Sequence, residues 1–207
     1  MTNSPAAPRR AQKPREETIR KREDILKAAL QTFGSRGYKG GSLAEIAEQV
    51  GITHAGVLHH FGSKDQLLLD VLVYRDESDV AHLESKHIPG GRGLFDHLIR
   101  TAALNSTRPG IVQAYAVLSG DSVTDDHPAQ DWFRIRYAQL RLEVGEALLE
   151  VAGRPVAAEV VNDAAAAILA VMDGLQVQWL LDPEHVDLAR ASGFAIEGIL
   201  AAAVASR

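Results

Sequence analysis

From Thr53 to His60 the chain reads THAGVLHH, in which Thr53, His54, His59 and His60 donate and accept hydrogen bonds and Ala55, Gly56 and Leu58 are small or apolar. Such a mixture suits contact with a polar surface rather than bond-making. A metal reading of the histidines fails on spacing. His54, His59 and His60 in one group, and His82 and His87 in another, lack the three- or four-residue repeat that puts ligands on one helix face, and no cysteine stands near them. The chain has no cysteine at all, which removes a thiol nucleophile and any disulfide framework. It has no Gly-rich phosphate loop, no Gly-x-Ser-x-Gly elbow and no His-Glu-x-x-His pair. Neither a metal, a cofactor nor an enzymatic activity is therefore expected. The acidic group Asp121, Asp125 and Asp126 reads as a solvated loop.

The elements that position these side chains follow from residue type. Ser42 is an N-cap with Glu45 three residues on, the pattern of a capping box, and Leu43, Ile46, Ala47 and Val50 then recur at helical spacing. Gly51 stands where that helix must stop and turn, since glycine takes positive φ without a Cβ clash. Thr53 caps a second helix whose Val57 and Phe61 share one face, leaving Ala55 and His59 about half a turn away. Two short helices around a glycine turn, the second with a polar outward face, form a helix-turn-helix pattern. Ser63 caps a further helix, with Gln66 as a box partner. Upstream, Ile25, Ala28, Ala29, Leu30 and Phe33 mark an amphipathic helix over 17–35 that ends at Arg36-Gly37-Tyr38.

The segments ILKAALQTFGSRGY, SLAEIAEQVGI and LHHFGSKDQLL, over roughly residues 18 to 72, resemble the DNA-binding domain of the TetR family of bacterial transcription regulators. The resemblance implies an all-α chain with an N-terminal three-helix helix-turn-helix DNA-binding domain and a C-terminal helical ligand-binding and dimerisation domain. Lys64, Ser42 and Tyr38, near helix starts, are then expected to touch phosphates, and Thr53, His54, Ala55, Gly56, Leu58, His59 and His60 to face phosphates or base edges. The family often carries lysine, glycine, threonine and tyrosine where this chain has His54, Ala55, Gly56 and Leu58, so its usual lysine and tyrosine contacts do not transfer.

Charge divides the chain in the same way. Residues 1–64 hold 11 Lys and Arg against 6 Asp and Glu, a net of +5; residues 65–207 hold 11 against 21, a net of −10. A basic end on an acidic chain fits a phosphate-binding module joined to a module with another task. The expected divisions are a disordered basic tail over 1–16, a DNA-binding domain over 17–64 and a ligand-binding and dimerisation domain over 65–207. The tail has three prolines and Arg9, Arg10, Lys13 and Arg15, which can lie along phosphates. No uninterrupted apolar run approaches the ~20 residues of a membrane span, and no signal-peptide core is found, so a cytoplasmic protein is expected.

Beyond Lys64 the periodicity stays helical, with helices expected over 65–85, 94–107, 110–119, 128–151, 155–181 and 184–206, about nine in all counting the first domain. The final two are rich in Ala and Gly, with Ile168, Val171, Leu175, Trp179, Ile199 and Leu200 as apolar contacts. They can form a four-helix dimer interface or pack within one subunit. The resemblance, to which MDGLQVQWLLDP contributes as a penultimate helix, favours a homodimer. His82, Asn105, Gln113, Tyr115, Trp132 and Gln176 are the side chains suited to a ligand pocket among the middle helices, and the acidic balance favours a neutral or cationic ligand. The function implied is a ligand-responsive dimeric repressor, bound to a palindromic double-stranded operator and released by a small-molecule inducer. The alternative is an all-α ligand-binding or interaction protein whose helix-turn-helix no longer binds a specific DNA site.

Overall fold

The computed structural model describes residues 12–80 and 88–206, and all its regular elements are α-helices. In order they are α1 (Gln12–Gly40), α2 (Leu43–Gln49), α3 (His54–Phe61), α4 (Lys64–Val80), α5 (Gly91–Asn105), α6 (Pro109–Asp121), α7 (Gln130–Ala152), α8 (Ala158–Leu181) and α9 (Leu188–Ala205).

Several boundaries differ from the sequence expectation by a few residues, and those of α1 and of the start of α9 have identifiable reasons. α1 starts at Gln12, inside the stretch expected to be disordered; Pro14 falls in its first turn, where a missing N–H breaks no helical bond. The rest of that tail, residues 1–11, lies outside the described residues. At its other end α1 breaks at Gly37 (φ 68°, ψ 176°), where the amphipathic run was expected to stop, and the chain then coils once more to Gly40. α9 begins at Leu188 rather than Glu184 because Asp187 accepts the Arg190 N–H at 2.9 Å and sets the first turn there.

The core is laid down in two main bodies. Ile25, Ala29 and Phe33 of α1, Ile46 of α2, Val57 and Phe61 of α3, and Leu67, Leu68, Val71 and Leu72 of α4 pack together with Tyr115, Leu118 and Phe133. A second body joins Leu94 and Phe95 of α5, Leu148 of α7, Ile168 and Met172 of α8, and Ile196 and Leu200 of α9. The charge step at Lys64 therefore falls inside one continuous apolar body. α1 lies close along α6: a Cβ placed on Gly34 would stand 2.8 Å from the Ala114 Cβ. That approach seats the small helices on the larger bundle.

Contrary to the sequence expectation, α8 and α9 are each long and apolar enough to cross a membrane, with mean hydropathy 1.5. The count of unbroken runs missed this because scattered alanines raise the mean while Asp163, Asp173 and Glu197 interrupt the runs. The two helices pack against each other and against α7, and α9 also packs against α5, which is the setting of bundle core helices.

Candidate functional site

The turn between α2 and α3 is built by local hydrogen bonds. The Ser42 hydroxyl accepts the Ala44 N–H at 3.2 Å. Gly51 takes φ 68°, and the next N–H, that of Ile52, returns to the Ala47 carbonyl at 2.9 Å. Thr53 then caps α3 by accepting the Gly56 N–H at 3.1 Å, and Ser63 caps α4 by accepting the Gln66 N–H at 3.0 Å. Neither expected capping box closes through its second side chain. Glu45 pairs instead with Arg36 at 3.1 Å, and Gln66 donates to Asp70 at 2.9 Å.

α3 presents Thr53, His54, Ala55 and His59 to solvent. Gly56 is half-buried, with Thr53 Oγ1 3.4 Å from where its Cβ would stand, so this part of the face is tight. Leu58 is also half-buried and packs on the core of α1–α4, which makes it a flank rather than a free contact. His60 lies at the rear edge. Burial lowers its pKa, as do neighbouring His59, Arg22 and Lys21, so the neutral ring is favoured.

Ser42 and Lys64 occupy the starts of α2 and α4 beside this face, and Tyr38 lies in the last turn of α1. Ser42 is exposed; Lys64 Nζ sits 4.5 Å from the Tyr38 ring centroid, and burial lowers the lysine pKa. The Tyr38 hydroxyl donates to Asp65, so it is engaged within the chain, and burial and that bond both raise its pKa. Sequence reasoning missed the basic residues that clamp the motif from α1. Arg22 donates to the His60 carbonyl at 3.2 Å and to Asp70 at 2.5 Å, with its guanidinium 4.1 Å from the Phe61 ring. Lys21 donates to the Val50 carbonyl at 3.3 Å, at the end of α2. Basic residues on α1 were visible, but their partners are 29 to 48 positions away.

The same corner is tied to α6. Asp121 Oδ2 accepts the Tyr38 N–H at 3.2 Å, and a Cβ on Gly37 would stand 2.5 Å from that oxygen. His127 meets the Tyr38 ring edge-on at 5.3 Å, and its Nδ1 accepts the Ala129 N–H at 3.2 Å. Asp121 therefore departs from the expectation of a merely solvated acid.

A cavity of about 310 Å³ lies among α4, α5, α6, α7 and α8. Of the six ligand residues expected, Asn105, Tyr115 and Gln176 line it. Gln113 instead lines a groove between α1 and α6, and Trp132 packs on the first core body beside Phe133, at 4.9 Å between centroids. His82 lies outside the described residues. Missed were Arg75, Asp76, Arg136, Tyr137 and Asp173, which form the polar wall. Asp76 bridges Arg75 at 3.1 Å and Arg136 at 2.9 Å, the Arg75 guanidinium lies 4.2 Å from the Tyr115 ring, and Tyr137 donates to Asp173 at 2.5 Å. Burial raises the Asp173 pKa against the pull of Tyr137, Arg75 and Arg136, and raises that of Tyr137 as well. Asp173, alone among the apolar run of α8, was the one signal in the sequence.

The expected interface residues divide. Ile168, Trp179 and Leu200 are buried within the chain, because they lie on the inward faces of α8 and α9; Val171, Leu175 and Ile199 are half-buried at the margins. Solvent instead meets a stripe of Ala166, Ala170, Gly174, Val177 and Leu181 on α8 and Phe194, Gly198 and Ala201 on α9. Phe194 is 84% exposed, and no atom comes within 4 Å of a Cβ placed on Gly174 or Gly198.

Two family models match the chain. Residues 25–71 match "Bacterial regulatory proteins, tetR family", and residues 102–203 match "BetI-type transcriptional repressor, C-terminal". Among curated relatives, the repressor AcnR of Corynebacterium jeikeium is 37% identical over 60 residues, 29% of this chain and 31% of AcnR. The chain thus spans about a third of the length of the AcnR repressors it matches. The probable regulator ArpR of Pseudomonas putida is 28% identical over 84% of this chain and 87% of its own. Among solved structures, a complex of SmeT with triclosan superposes with a TM-score of 0.73 at 20% identity, covering 88% of this chain and 91% of SmeT.

Proposed function

The chain belongs to the TetR family of bacterial transcription regulators, and from that premise we propose that it is a dimeric repressor whose affinity for operator DNA falls when a small molecule enters the cavity of its helical bundle. It acts by binding alone, in the cytoplasm. The observation that carries this reading is α3: a capped helix, rigidly seated on α1 and α4, that turns Thr53, His54, Ala55 and His59 outward from the basic part of the chain. One helix this short reads few base pairs, so specificity requires two copies related by a two-fold axis and an operator close to a palindrome. The small-residue stripe on α8 and α9 is the proposed contact between subunits. The reading unit runs from α1 into α4, with Ser42 and Lys64 on phosphates and the α3 face toward bases.

Ligand response requires that the cavity communicate with the reading heads. α6 supports this, since it contributes Tyr115 to the cavity wall and Asp121 to the Tyr38 corner. A ligand that favours one setting of α6 alters the spacing of the two α3 helices and lowers DNA affinity. The SmeT structure that holds triclosan supports a small-molecule effector for this architecture.

The test is a gel shift on the DNA upstream of the chain's own gene across a salt series, with unrelated DNA as control. Specific binding with a steep salt slope is expected. Equal binding to both DNAs would assign the chain to the class of helical binding proteins without an operator.

A further inference from the structure

We propose that the cavity takes an amphipathic ligand with a carboxylate head group, held by Asn105 and Arg136, and that it excludes permanent cations. This ligand class presupposes the ligand-responsive reading above and sharpens it.

Buried polar atoms need partners, and those without one mark where a ligand belongs. On this cavity's wall, Asn105 Nδ2, Arg136 Nε and Gln176 Oε1 have no hydrogen-bond partner among the described residues. The Asn105 amide is fixed in direction. Its Oδ1 accepts Arg108 Nε at 3.0 Å and Nη2 at 2.7 Å, so a flip would press an NH₂ group against a guanidinium. Nδ2 is therefore a committed donor. Arg136 uses Nη1 on Asp76 and keeps Nε–H as a second donor, on a cation. Two donors, one charged, call for acceptor oxygens, which a carboxylate supplies in pairs. Gln176 can turn its amide to either end of such a head group.

A cationic ligand would need a free aromatic face or a free carboxylate. Inside the cavity the chain's own groups hold Tyr115, Asp76 and Asp173, and the remaining acid of the lining, Glu77, is exposed to solvent. Arg75 covers Tyr115, Asp76 is bridged by both arginines, and Asp173 holds the Tyr137 hydroxyl. The sequence-based expectation of a neutral or cationic ligand came from net charge, and the lining acids Asp76, Glu77 and Asp173 do outnumber Arg75 and Arg136; what selects the head group is the pair of unpartnered donors, Asn105 Nδ2 and Arg136 Nε. Leu98, Leu140, Leu169 and Met172 give the ligand an apolar seat. A volume of about 310 Å³ suits a compact body, at the low end of small-molecule sites.

Calorimetric titration of the full chain with three probes sharing one body tests this: 4-phenylbutyrate, 4-phenylbutanol and (4-phenylbutyl)trimethylammonium. The carboxylate is expected to bind about tenfold or more tighter than the alcohol, and the ammonium not to saturate. Asn105→Asp keeps an acceptor for Arg108 but removes the Nδ2 donor, and should weaken 4-phenylbutyrate by about tenfold or more. If that variant fails to fold, Arg136→Lys keeps the pair with Asp76, removes Nε, and should show the same loss. Tighter binding of the alcohol or the ammonium, binding of none of the three, or full carboxylate affinity in the variant tested would overturn the ligand class. Operator binding is read separately by gel shift. Its absence, with carboxylate preference intact, sinks the repressor reading alone; a preference for the ammonium, with operator binding intact, sinks the ligand class alone.

Discussion

Thr53 ends a turn and begins a helix with one hydroxyl, since the oxygen that caps α3 lies at the edge of the exposed face. Thr53→Ala should lower unfolding stability by about 1 kcal/mol, read as a lower urea midpoint with unchanged slope. Asp173 is governed by a different force. Its carboxyl favours the proton because burial outweighs the attraction of Tyr137, Arg75 and Arg136. A carboxyl whose folded pKa lies above its unfolded one contributes most at low pH, and that contribution is lost as pH rises from the unfolded value, about 3.9, through the folded one. Asp173→Asn should therefore raise the thermal midpoint at neutral pH, and the gain should shrink as the pH falls toward 4. An unchanged or lower midpoint at neutral pH would mean that the ionised group is stabilising.

Among the elements, α1 is the one that both halves of the molecule share. It packs along α6 with Gly34 at the closest point and clamps α2 and α3 through Lys21 and Arg22. Gly34→Val must push α1 off Ala114, because backbone as well as a side chain stands in the way. A loss of roughly 1 to 3 kcal/mol is expected from such overpacking, measured by thermal or chemical unfolding. The short elements were largely legible in the sequence because their determinants are local: Ser42, Thr53 and Ser63 cap where their residue types indicate, and Gly37 and Gly51 take the positive φ that their turns require. The partners of Glu45, Gln66 and Arg22 were not legible, since side chains choose partners across space and the alternation of apolar residues says nothing about which acid meets which base. The cavity was half legible for the same reason. Residue type pointed to Asn105, Tyr115 and Gln176, but the charged wall of Arg75, Asp76 and Arg136 exists only once α4 and α7 are brought together.

For the whole molecule, the outward stripe on α8 and α9 is the proposed contact between subunits. Phe194→Glu places a charge at the most exposed large apolar side chain among the described residues, one that belongs to neither core body. It should leave the helical content intact and convert the protein to a monomer in sedimentation, with loss of operator binding; a dimer that persists would move the subunit contact elsewhere. One consequence reaches beyond the single chain. Asp121 grips the backbone at Tyr38 from 83 positions away, so the reading head is not a cassette that can be cut at Lys64 and transplanted. A chimera carrying residues 1–64 of this chain on a relative's bundle inherits Gly37 and Tyr38 without the acid that fixes them, unless the donor α6 travels with the graft.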